Sequence, residues 1–160
     1  MKPGPTQARL RELVSYDPQT GQFKWKAGRG GSSGECGCLI KSGYIIIGFD
    51  HELYRAHRLA WLYVYGEWPT YIDHVNGIKN DNRIANLREA TKSQNGANSK
   101  TKNPHGMKGV TFSERMNKWT AHISINGRKK HLGTFKTKEE AHHAYLEAAK
   151  QAFGQFVRTA

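Results

Sequence analysis

The chain has 160 residues, with 25 Lys and Arg against 13 Asp and Glu for a formal charge of +12. That length holds one ordinary domain or two very small ones and excludes long linkers. The charge attracts polyanions and steers them at long range, which puts nucleic acid first among partners and an anionic membrane surface second; no run reaches the roughly 18 apolar residues of a membrane span, and "MKPGPTQARLREL" lacks a signal peptide's apolar core, so a soluble cytoplasmic protein with no membrane partner is expected.

"ARLRELVSY" (Ala8 to Tyr16) has helical spacing at Leu10, Leu13 and Val14. Asp17-Pro18 and Thr20-Gly21 then turn the chain into a short strand, Phe23 to Lys26. "AGRGGSSGECG" reads as loop. Its end carries Cys36, one residue before Cys38, a spacing too tight for an ordinary disulfide and short of zinc's usual four ligands. Free thiols are expected there, with a zinc site borrowing His51 or His57 as the alternative. "CLIKSGYIIIGFDHELYRAHRLAWLYVYGEWP" predicts strand, Ser-Gly turn, strand, Asp-His turn, strand, and a helix carrying Leu59, Ala60, Leu62 and Tyr63 until Gly66 and Pro69 stop it. This is an α+β pattern, without repeated βαβ units.

"YIDHV" follows as a strand, then an Asn76-Gly77 turn, a polar loop and "NLREAT" as a second short strand. Thr91 with Gln94 three residues on is a capping box that starts a helix through about Lys100. Three readings compete for "IDHVNGIKNDN". A calcium loop starting at Asp73 fails, because its third, fifth and twelfth positions hold Val75, Gly77 and Ile84. A polar loop whose amides satisfy turn backbones is the purely structural reading. Phosphodiester hydrolysis is the third: Asp73 can offer a hard anionic oxygen to Mg²⁺ or Mn²⁺, and His74 has the pKa range of a general base. Strand neighbours point to opposite faces, so the pair shares a site only where the strand bends or ends.

The residues "HRLAW…GEWP…IDHVNG…DNRIANLREAT…QN" resemble the HNH endonuclease family, in the subgroup common among phage free-standing and intron-encoded homing endonucleases. The resemblance covers Leu10 to about Lys100 and implies a ββα-metal fold. It assigns Asp73 as a metal ligand, His74 as the general base, Asn86 as the residue tying the loop to the second strand, and Asn95, a His in many HNH enzymes, as the last motif residue and second ligand of one divalent ion. Arg58 is read as a packing or phosphate-contact residue, and His57 as a core histidine. Asn82 and Arg83 shape the loop, with Arg83 a candidate phosphate clamp.

"SKTKNPHG" turns polar, basic and breaker-rich, and places a boundary between domains 1–100 and 101–160. Beyond it three strands are expected near residues 109 to 114, 118 to 125 and 128 to 134, with Asn126-Gly127 as a hairpin turn. Thr137 caps a helix with Glu140 three residues on, whose apolar stripe is Ala141, Ala144, Tyr145 and Ala148. Alternation sends Trp119, Ala121, Ile123 and Ile125 toward that helix and Lys118, Thr120, His122 and Ser124 away from it. Thr111, Ser113 and Arg115, with Arg128 to His131, are expected to join the polar face. The run from "GVTF" to "QAFG" resembles the APETALA2/ethylene-response-factor DNA-binding domain over about Pro104 to Arg158. The resemblance implies major-groove contacts from Thr111, Ser113, His122, Ser124, Lys129 and His131, with Arg115 close by.

The expectation is thus an HNH ββα-metal nuclease domain followed by a small three-stranded antiparallel sheet packed on one helix. Such a chain would be a metal-dependent, site-recognising endonuclease acting on double-stranded DNA. One motif per chain predicts a monomer that nicks, working in the host cytoplasm if phage-encoded. The alternatives are a non-catalytic DNA-binding regulator with a degenerate nuclease fold and, more weakly, an RNA-binding structural protein.

Overall fold

The Thr6 hydroxyl accepts a hydrogen bond from the Arg9 amide and starts α1, Gln7–Leu13, in the computed structural model, which describes residues 4–26, 34–101 and 103–158. The expected helix to Tyr16 stops short at Leu13. Val14–Tyr16 instead form β1, paired antiparallel with β2, Phe23–Trp25. Here alternation outcompetes helical spacing: Val14 and Tyr16 are buried while Ser15 faces out, and Val14 is β-branched. The Asp17 carboxylate accepts from the Gln19 amide and the Thr20 hydroxyl, fixing the turn between the strands. Residues 27–33 of the expected glycine-rich loop lie outside the described residues.

A second sheet has the order β3 (Cys38–Leu39), β4 (Ile45–Phe49), β5 (Glu52–Arg55), all antiparallel. Asp50 and His51 join β4 to β5 with φ of 46° and 67°, the left-handed pair that a two-residue hairpin needs. Helix α2, Ala56–Tyr65, buries Leu59, Ala60 and Leu62 and ends on Gly66, whose φ of 82° closes the last turn in the left-handed region. Then β6, Ile72–His74, pairs antiparallel with β7, Leu87–Glu89. Leu10, Val14, Phe23, Ile47, Leu59, Leu62, Ile72 and Leu87 form one buried cluster. At roughly 1.5–3 kcal/mol for each large side chain taken from water, this cluster holds the motif strand in place.

The backbone divides into two compact units, one through Glu89 and one from Ala90. The second opens with α3, Lys92–Asn98, started by the Thr91–Gln94 capping box. Its sheet has the order β10 (Arg128–Phe135), β9 (Lys118–Ile125), β8 (Val110–Ser113), with α4, Lys138–Phe153, packed on one face and capped by the Thr137–Glu140 box. The expected architecture of this half, a three-stranded antiparallel sheet on one helix, is what forms. Asn126 and Gly127, at φ 49° and 80°, make the β9–β10 turn. Val110, Ala121 and Ala141 are fully buried between sheet and helix, and Ala97 of α3 packs in a cluster with Ile123, Tyr145, Ala149, Phe153 and Phe156. Gly109, at φ 69°, lets the chain pass so close to α4 that a Cβ there would stand 2.2 Å from the Tyr145 ring and 2.6 Å from the His122 carbonyl oxygen.

Candidate active site and nucleic-acid interface

All three residues of β6 are buried, so the Asp73-His74 pair sits on a strand with no solvent face. The strand ends at His74: the Gly77 amide donates to the His74 carbonyl, and Gly77 takes φ 69°. Opposite Asp73 in the register stands Arg88. Its Nε and terminal nitrogen donate to Asp73 Oδ2 at 2.9 and 2.8 Å. Sequence reasoning passed over Arg88, although pairing "IDH" with "LRE" would have set it across from the carboxylate.

His74 Nε2 lies 3.4 Å from Asn82 Oδ1. The Asn82 side chain is almost wholly buried, and its Nδ2 has no partner among the described residues. Around His74 the His57 ring packs edge-on at 4.9 Å between centroids, and the Tyr44 ring lies 6.1 Å from it. Burial lowers the His74 pKa, against a smaller opposing pull from Asn82 and from the charges of Asp73 and Asp81. Burial does the same to His57, more strongly, with His74, Arg55 and Arg58 adding repulsion, and takes its pKa down to about 3. Both imidazoles are therefore neutral at pH 7. His57 Nδ1 is buried without a hydrogen-bond partner among the described residues.

The loop between β6 and β7 is tied to itself through amides. Asn86 Nδ2 donates to the Asp81 carbonyl at 2.8 Å, Asn86 Oδ1 accepts from the Asn76 amide at 3.0 Å, and the Val75 amide donates to the Asn86 carbonyl. Asn76 closes an Asx turn onto Ile78 and donates to Asp81 Oδ2. Asp81 also holds Arg83 in a bidentate pair, Nε to Oδ1 at 2.8 Å and a terminal nitrogen to Oδ2 at 2.6 Å. Those bonds, the Arg83 side chain first among them, hold the Asp81 carboxyl at about 2.

The N-terminal hairpin supports the same loop from behind. The Tyr16 hydroxyl donates to the Asn82 carbonyl at 2.7 Å, and the Ile84 amide donates to the Pro18 carbonyl. Gly21, at φ 74°, backs so closely on the loop that a Cβ there would lie 2.5 Å from the Arg83 nitrogen. Arg58 donates to the Thr70 carbonyl at 3.3 Å and lies over the Trp68 ring. Asn95 stands on α3 in the second unit.

Among the described residues no three His, Cys, Asp or Glu side chains gather as a metal cluster. Cys36 is buried and Cys38 exposed, and both are free. Asp73 is the hard anionic donor of the motif, and Arg88 already balances its charge. This donor set fits a cation that takes the rest of its oxygens from elsewhere, since Mg²⁺ keeps several waters and shares substrate phosphates.

On the second unit, Thr111 pairs with Thr120, His131 with His122, and Lys129 with Ser124 across the sheet face opposite α4. Thr111 Oγ1 and His122 Nε2 are 3.1 Å apart. Ser113 pairs with Lys118 at the end of the same face. Two expected members do not belong there. Arg128 and Lys130 pair with Ile125 and Ile123, so period-two alternation puts them on the helix side of the edge strand. A bulge between His131 and Gly133 shifts the alternation, leaving Leu132 partly buried against the helix side and Thr134 opposite Thr120. Arg115 lies in the 3₁₀ turn Glu114–Met116, exposed beyond the end of β8.

A family model described as HNH endonuclease matches residues 54–97, and one described as AP2 domain matches residues 105–155. Over 150 residues, 90% of this chain and 71% of its relative, the sequence is 32% identical to an uncharacterized HNH endonuclease of Acanthamoeba polyphaga mimivirus. Over 108 residues, 65% of this chain and 88% of its relative, it is 29% identical to Protein 3.8 of Escherichia phage T7. No solved structure matches the chain.

Proposed function

The chain belongs to the HNH endonuclease family, and from that premise we propose that it is a metal-dependent, site-recognising DNA endonuclease of the phage homing type, which nicks duplex DNA with His74 as the general base. The observation that carries the reading is a buried, neutral imidazole on the residue after a buried carboxylate. The Nε2 contact with Asn82 Oδ1 orients the His74 ring, and the neutral imidazole takes a proton from water. Asn86 fixes the loop that carries Asn82, and so fixes the direction in which the base points. Asp73, held in place by Arg88, supplies an anionic oxygen to one divalent ion, Mg²⁺ or Mn²⁺. Asn95 is its second ligand by family resemblance, and the ion when bound stabilises charge on the scissile phosphate and the departing oxygen.

Because Arg88 offsets Asp73, the cation binds weakly to the free protein and tightly only when a DNA phosphate completes its shell. Calorimetry with and without duplex reads this directly, and stoichiometric high-affinity binding to the protein alone would contradict it. The C-terminal unit holds the duplex through the polar sheet face, where Thr111, Ser113, His122, Ser124, Lys129 and His131 face out and Arg115 lies nearby. One motif per chain suits a monomer that cuts one strand. The viral relatives suit a protein acting in a host cytoplasm, and no described helix is long and apolar enough to cross a membrane.

Supercoiled plasmid and phage DNA incubated with Mg²⁺ or Mn²⁺ are expected to convert to nicked circles, with EDTA or His74→Ala abolishing conversion. No metal-dependent nicking, or full activity in His74→Ala, overturns the reading. DNA binding without any cleavage would instead mark a non-catalytic regulator.

A further inference from the structure

Most arginines near the motif are occupied. Arg88 is held by Asp73, Arg83 by Asp81, and Arg58 by the Thr70 carbonyl and the Trp68 ring. Two cations of this unit differ. The Arg55 guanidinium lies 4.5 Å from the centroid of the Tyr44 ring, and the Lys79 ammonium lies 4.9 Å from the same centroid. Neither makes an ion pair with a described carboxylate, and Lys79's other tether, the Ser42 carbonyl at 2.9 Å, carries no net charge. An aromatic face aims a cation without neutralising it. The ring therefore holds two cations that no described carboxylate neutralises.

Their place gives a partner anion its chemistry. Tyr44 lies 5.3 Å from His57 and 6.1 Å from His74, ring to ring, so the cation pair borders the imidazole that the mechanism uses. Three separate pieces of chain meet to build it: Arg55 precedes α2, Lys79 belongs to the motif loop, and Tyr44 follows the Ser42-Gly43 turn. The Lys79 stem lies over that turn, where Gly43 takes φ 85°.

We propose that Arg55 and Lys79, seated on Tyr44, form a phosphate clamp that grips the DNA backbone beside the bond attacked by the water that His74 activates. The clamp rests on the nuclease reading for its ligand, a phosphodiester of duplex DNA, and adds a grip separate from the C-terminal sheet. Charge-assisted contacts of this kind position a strand without reading its sequence.

The test is binding of the full-length protein to duplex DNA in EDTA, followed by fluorescence anisotropy over a salt series, so that no catalysis is needed. Arg55→Gln and Lys79→Gln are each expected to reduce the slope of log K against log salt by about one, and the double variant by about two, across all DNA sequences. Tyr44→Leu, which unseats both cations, is expected to weaken binding, whereas Tyr44→Phe keeps the ring and binds like the parent protein. Lys24→Gln, an exposed lysine of β2, serves as the generic-charge control. An unchanged slope in the double variant overturns the clamp, as does an equal loss in Lys24→Gln. Failure of the nuclease reading is seen elsewhere, as absence of metal-dependent nicking by the parent protein.

Discussion

The motif strand and the outer face of the C-terminal sheet use overlapping residue types, histidines flanked by hydroxyls, amides and cations, in opposite settings. At the motif, Asp73 and His74 are only 4% and 5% exposed, and Arg88 is spent on Asp73. On the sheet, Lys129 and His131 stand in solvent, and the Thr111 hydroxyl and His122 imidazole meet at 3.1 Å. Burial makes direction and protonation state expensive to change, which suits a group that must move one proton. Exposure leaves side chains adaptable, which suits contact with many base edges and phosphates. Pre-organisation and adaptability are thus divided between two units of one small chain.

Four measurements can break or sharpen that contrast, beginning with the largest effect. Gly109→Ala forces a Cβ into the Tyr145 ring at a backbone angle that L residues disfavour, and should cost the second unit about 2 kcal/mol or more. Thermal unfolding should show this loss together with weakened DNA binding, and an unchanged transition would mean that α4 can retreat from the sheet. Asn86→Ala removes the bonds to the Asp81 carbonyl and the Asn76 amide, for roughly 1–3 kcal/mol. Nicking should fall while DNA affinity holds; equal activity would show that the loop needs no pin.

The third is acidification. His57, held down to about 3 against an ordinary 6.5, and His74, also lowered, refuse protons that the unfolded chain takes up. Stability of the first unit is then full above pH 6.5 and declines as pH falls from there toward 3, with His57 alone supplying a slope of up to about 1.4 kcal/mol per pH unit. Denaturant titrations at pH 7, 6, 5 and 4 check this, and a flat stability across them refutes the buried-neutral description. The lowered His74 value also places the acid limb of the nicking rate below pH 6.5. The smallest effect is Lys129→Gln on the sheet, expected to cut the salt slope of binding by about one with no change in folding. A sequence-selective loss instead would show that Lys129 reads bases.

Local rules carried much of the fold. Thr91 with Gln94 and Thr137 with Glu140 start helices because an N-cap hydroxyl and a Glu or Gln three residues on satisfy orphan amides wherever the chain puts them. Asn126-Gly127 turns because both residues tolerate positive φ. The same rules stumbled at Val14–Tyr16, where helical spacing gave way to pairing with Phe23–Trp25. They also misplaced Arg128 and Lys130, whose face depends on the register set by the partner strand.

By itself, then, the sequence determined the order of most elements, the two capping boxes, the hairpin turns and the Asp73-His74 pair, since each depends on residues a few positions apart. Only the tertiary structure decided who serves that pair. Arg88 reaches Asp73 across a strand register, Asn82 is buried against His74 by a loop propped on Tyr16 and Gly21, and Arg55 and Lys79 share Tyr44 from elements far apart in the chain. Those roles come from burial and from contacts over long sequence separations, and a side chain's charge state and direction are set by what surrounds it in space.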